Sequence, residues 1–92
     1  MLRQQSAIMK HATSATLAGF SELLEQIRQR AGLKEKKPGI FYRKSKSFLH
    51  FHEDPTGLFA DLQAGDDFHR YPVNTRRDWQ RLLAAIDLAI KS

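Results

Sequence analysis

Between positions 40 and 73 the apolar and aromatic residues fall into four short runs, 40–43, 48–53, 58–62 and 68–73. Only a few turn-forming residues separate them: Lys44-Ser45-Lys46, Asp54-Pro55-Thr56-Gly57 and Ala64-Gly65-Asp66-Asp67. A parallel crossover needs about a dozen residues or more, so neighbouring runs have to pair as antiparallel hairpins. The spacing therefore predicts a four-stranded antiparallel meander. Pro72 cannot donate to a ladder, which puts the fourth strand at an edge or ends it there.

The period is helical on either side of the meander. Leu17, Phe20, Leu24, Ile27 and Ala31 recur every three or four positions, widened by Leu23, with Glu22, Glu25, Gln26, Arg28, Gln29 and Arg30 opposite. The expected helix starts at Ser14 or Thr16 and ends at Ala31, with Gly32 as a left-handed stop. Lys34-Glu35-Lys36-Lys37-Pro38 reads as a basic linker. After the meander, Thr75 and Asp78 form a capping-box pattern ahead of the stripe Trp79, Leu82, Leu83, Ile86 and Ile90, beside Ala89. Helix, four strands, helix is the order of an α+β two-layer sandwich, with both helices on one sheet face and the other face open.

The 92 residues suit one domain over 14–92 preceded by a flexible arm over 1–13. Residues 1–21 hold no acid, a composition shared with organellar transit peptides, but no continuous apolar h-region marks a secretory signal. The stretch 82–90 is far below the roughly 20 residues needed to cross a bilayer, so no membrane partner and a cytoplasmic location are expected. Without cysteine there is no disulfide, thiol nucleophile or thiolate metal site.

Alternation assigns the faces. Leu49 and Phe51 are expected toward the helices, leaving Phe48, His50 and His52 outward. Leu58, Ala60 and Leu62 point inward, with Phe59 and Asp61 outward. In the fourth strand Phe68 is placed inward, which turns His69 and Tyr71 outward and Arg70 toward the helix side at the margin. His50, Asp61 and His69 then form one row across the open face, next to His52, Phe59 and Tyr71. A glycine bulge in the 54–57 turn is the alternative, and it would flip the third strand.

The stretch Phe48-Leu49-His50-Phe51-His52-Glu53 with Gly57-Leu58-Phe59-Ala60-Asp61-Leu62 resembles a signature of small uncharacterised bacterial proteins. The element order is similar to the frataxin-like topology of MmcQ/YjbR-type proteins, over residues 38–90. That resemblance implies the two-layer α+β fold. MmcQ/YjbR-type proteins are described as DNA-binding, which agrees with a basic chain. Frataxins carry an acidic ridge on the first helix, whereas here Arg28 and Arg30 balance Glu22 and Glu25, so no iron-donor role follows. No catalytic motif aligns, and no functional residue is carried over.

The net charge of +5 is segregated. Residues 34–46 hold six basic residues and one acid, whereas 51–67 hold five acids and no Lys or Arg. Arg76 and Arg77 stand in a first helical turn, where the dipole disfavours cations; a bound anion, a pair with Asp78 or plain solvation each account for them. The main reading is a binding module that uses Phe48, His50, His52, Phe59, Asp61, His69 and Tyr71 on the open face for a protein partner, a homodimer or a small ligand. A second is nucleic-acid or polyanion binding, with Phe48, Phe59 and Tyr71 stacking bases and Arg43, Lys44, Lys46, Arg76 and Arg77 meeting phosphates. A third is a transition-metal site, zinc among the candidates, on His50, His52, Asp61 and His69, because imidazoles two apart on a strand share a side. Catalysis is not expected. Ser45 and Ser47 lie in no nucleophile elbow, and His50 with Asp61 is the one acid–base pair.

Overall fold

The structure is a computed structural model that describes residues 10–11 and 19–91. Its elements are β1 (Lys10–His11), α1 (Ser21–Arg28), β2 (Leu33–Lys37), β3 (Ile40–Arg43), β4 (Lys46–Asp54), β5 (Gly57–Ala64), β6 (Asp67–Pro72) and α2 (Arg76–Lys91). Strands β2 to β6 pair antiparallel in chain order, and β1 joins β4 with Lys10 opposite Glu53 and His11 opposite His52. The α+β class is as expected, with a meander of five strands rather than four.

The extra strand, β2, lies where a linker was expected. Lys34 to Lys37 carry no apolar alternation, so nothing in their side chains announces a strand. The Pro38-Gly39 turn recruits them: Gly39 takes φ +77, which folds the backbone back so that Lys37 meets Ile40. An edge strand made of lysines resists pairing with other chains, and the register shift between Glu35 and Lys37 roughens it further.

Of the first expected helix, residues 21–28 form α1, and 14–18 lie outside the described residues. It ends before Ala31 because the Arg30 N–H turns back to the Ile27 carbonyl at 3.0 Å, and Gly32 follows at φ +90. Most of the expected arm also lies outside the described residues; its positions 10 and 11 are β1. Helix α2 begins as the sequence predicts. Thr75 Oγ1 accepts the Asp78 N–H at 3.1 Å, and Asp78 Oδ2 accepts the Thr75 N–H at 3.2 Å.

One core joins both helices to one sheet face. Leu23, Leu24 and Ile27 of α1 and Leu82 and Ile86 of α2 are buried with Phe41, Leu49, Phe51, Leu58, Ala60, Leu62 and Val73. Burying each of these side chains other than Ala60 contributes about 1.5–3 kcal/mol. Arg76 bonds Glu22 at 2.9 Å, and Arg30 bonds Asp87 at 2.9 Å. Start therefore lies beside start and end beside end, so the two helices run in the same direction.

The register of β4 and β5 is the unbulged one, with His50 opposite Asp61 and His52 opposite Phe59. The register of β6 differs from expectation by one residue. Ala64 pairs Asp67 across a two-residue Gly65-Asp66 turn, so Asp61 faces Arg70 and His69 faces Leu62. This parity reverses the strand: Tyr71 packs against the core with Val73 fully buried, while Phe68 is left 45% exposed. Burying Val73 and Tyr71 while keeping the Arg70 charge off the core outweighs the cost of exposing Phe68. Phe48 is corrected too. A register shift opposite Phe41 and Tyr42 makes Phe48 an extra residue in β4, and it is buried in the core rather than facing outward.

Candidate metal centre

Period-two alternation puts His50 and His52 on the helix-free side of β4, and pairing to β5 brings Asp61 across from His50. His50 Nδ1 lies 2.8 Å from His52 Nε2, and His52 Nε2 lies 3.2 Å from Asp61 Oδ2. One donor atom from each of the three residues falls within 4.8 Å of the others. The rings meet edge to face, 4.9 Å between centroids.

Which nitrogen donates depends on the tautomers of the two rings, and each neutral imidazole keeps one lone pair that can serve as a ligand. The side chains of His52 and Asp61 are 14% and 12% exposed, which shields the site from bulk water without closing it.

Asp61 is anchored from the other side. Arg70 Nε and Nη2 donate to its two oxygens at 2.9 and 3.0 Å. That hydrogen-bonded guanidinium holds the Asp61 carboxyl below the usual carboxylate range against the opposing effect of burial, and the charge of Arg70 and the imidazoles of His52 and His50 add to it. The carboxylate stays ionised and fixed in direction. Phe68 makes one wall, its ring 5.0 Å from that of His50, and Phe59 sits half-buried opposite His52.

Of the open-face residues expected from the sequence, His50, His52, Phe59 and Asp61 come together. His69, Tyr71 and Phe48 do not: His69 is exposed opposite Leu62, and the other two belong to the core side. His69 is thus no partner of Asp61, and Arg70 takes its place. Arg70 and Phe68 were missed as site residues. The signal for them was the Gly65-Asp66 pair, a common two-residue hairpin turn that sets the parity of β6.

The basic residues form two separate groups. Arg43, Lys44 and Lys46 sit at the β3–β4 turn, and Arg43 donates to the Ile90 carbonyl at the end of α2. Arg76 and Arg77 stand at the start of α2, a helix of 16 residues and therefore about 24 Å long. Arg76 is neutralised by Glu22 and lies over the Trp79 ring at 5.2 Å; Arg77 is exposed. An α1 carboxylate thus offsets the unfavourable first-turn charge of Arg76. No helix among the described residues is long and apolar enough to cross a membrane.

A comparison with models of known families finds no match, nor does one with curated proteins or one with solved structures.

Proposed function

We propose that the chain is a small binding module whose helix-free sheet face takes a divalent transition metal through His50 Nδ1, His52 Nε2 and Asp61 Oδ2. The observation that carries this reading is the convergence of three lone-pair atoms within 4.8 Å on one half-shielded face. Tetrahedral zinc holds nitrogen and oxygen ligands at about 2.0–2.2 Å, so two of its ligands stand roughly 3.3 Å apart. The separations of 2.8 and 3.2 Å are close to that, and opening them by a few tenths of an ångström makes room for the ion. Two imidazoles and a carboxylate suit zinc or a similar borderline metal better than calcium or magnesium. Arg70 aims the carboxylate, as outer partners of metal ligands do, although its charge lowers affinity for a cation.

The burial of Phe48 and the packing of Tyr71 against the core remove two of the three aromatics on which the nucleic-acid reading relied. The same change takes both from the exposed patch that favoured a protein partner or homodimer. The metal reading keeps three of its four residues.

Zinc titration of uniformly labelled protein, followed by the ring nitrogens of histidine, tests it. The expected result is a selective change at His50 and His52 below one equivalent, with His69 unmoved. His52→Ala and Asp61→Asn should each weaken binding by about tenfold or more. No change, or equal changes at every histidine, overturns the reading.

A further inference from the structure

A different site lies on the far side of the sheet, and it stands independently of the metal reading. The β3–β4 hairpin, the β5–β6 turn and the end of α2 border a cavity of about 320 Å³. Its lining includes Arg43, Lys44 and Lys46 and no acidic residue. Phe48, 4% exposed, gives it an apolar floor, with Ala64 and Ala89 at the sides.

The cations have different tasks. Arg43 donates to the Ile90 carbonyl at 2.7 Å and lies over the Phe48 ring at 5.9 Å. It thereby offsets the partial negative charge at the carbonyl end of α2, which would otherwise repel an anion. Lys44 and Lys46 are exposed residues of the lining, and neither is in a salt bridge among the described residues. Lys44 and Ser45 form the two-residue hairpin turn at the rim, at φ +54 and +67.

From this geometry we infer that the cavity binds a small organic anion. A carboxylate or phosphate monoester head meets Lys44 and Lys46, and a flat apolar body lies against Phe48. The volume is near the lower end for ligand pockets, roughly 300–1,000 Å³, which suits a head group with a single ring. Ser47 and Gln63 stand in the lining as hydrogen-bonding groups for the head.

Titrations with phenyl phosphate and benzoate, read from backbone amide shifts, test the inference on the full chain. Inorganic phosphate and benzyl alcohol serve as the ring-free and uncharged comparisons. The expected result is saturable movement at Lys44, Lys46 and Gly65 with at least one aromatic anion, and binding of both comparison compounds weaker by about tenfold. Lys46→Glu should weaken the aromatic anion by about tenfold, as should Lys44→Gly, which eases the turn and leaves the fold intact. Three results each overturn the inference: no saturable shift with either anion up to about 10 mM, benzyl alcohol binding as tightly as the anions, or both lysine variants binding like the parent.

Discussion

Lys44 and Ser45 lie side by side in the left-handed region, at φ +54 and +67, although neither is a residue type that visits it cheaply. The cost arises between Cβ and the carbonyl oxygen and is about 1 kcal/mol per residue. The hairpin imposes it, since Arg43 pairs Lys46 and only a turn of the mirror-image hand matches the twist of the strands. Ser45→Gly should therefore stabilise the protein by about 0.5 kcal/mol or less, the relieved strain exceeding the greater freedom of glycine in the unfolded chain by a few tenths. An unchanged or lower urea midpoint would show that the turn is unstrained. At the same scale, His50 and His52 share a side because of their spacing, and that was legible without coordinates. The identity of the group across from Asp61 was not, because it depends on a turn rather than on the strand itself.

Helix α2 illustrates how much a single element declares. Its start is written in Thr75 and Asp78, its buried stripe in Leu82 and Ile86, and the structure keeps both. Thr75→Ala removes the hydroxyl that accepts the Asp78 N–H and should cost about 1 kcal/mol, measured as a shift in the denaturation midpoint at constant m-value. A loss below a few tenths would mean that Asp78, which also accepts the Asn74 N–H at 3.0 Å, caps the helix alone. Strand β2 is the opposite case. Its residues alternate in burial only weakly, and lysines at three of its five positions with the Pro38-Gly39 turn beyond would fit a solvated loop equally well. Pairing to β3 gave it its conformation, and a partner strand is not a property of the segment itself.

Across the whole molecule, ion pairs tie one element to the next. Arg28 of α1 holds Glu35 of β2, with its Nη2 3.0 Å from Oε2, and the Gly39 N–H donates to the same oxygen at 3.0 Å. The hydrogen bond from Arg28 holds the Glu35 carboxyl below the ordinary glutamate value against burial, and the Gly39 N–H adds to it. Asp61 is lowered in the same way by Arg70. For a carboxylate whose folded pKa is depressed, the unfolded chain binds the proton first. The stabilisation is therefore fully present above the unfolded pKa of about 4.3 and is lost as pH falls through the lower folded value. Stability against urea should thus decline below about pH 4, and Glu35→Gln should flatten part of that decline. An acid limb of unchanged slope in the variant would remove Glu35 from the account.

The sequence by itself determined the elements: two amphipathic helices, the hairpin strands β3 to β5, the cap on α2 and the common side of His50 and His52. These follow from periodicity and capping, which act over a few neighbouring residues. Tertiary structure alone decided the parity of β6, the strand at 33–37 and the burial of Phe48. With them it decided the exchange of His69 for Arg70 beside Asp61. In each case two local arrangements were available to the same residues. Competition for the core between Val73, Tyr71 and Phe68, together with the two-residue turn at Gly65-Asp66, selected between them across distances that no local pattern spans.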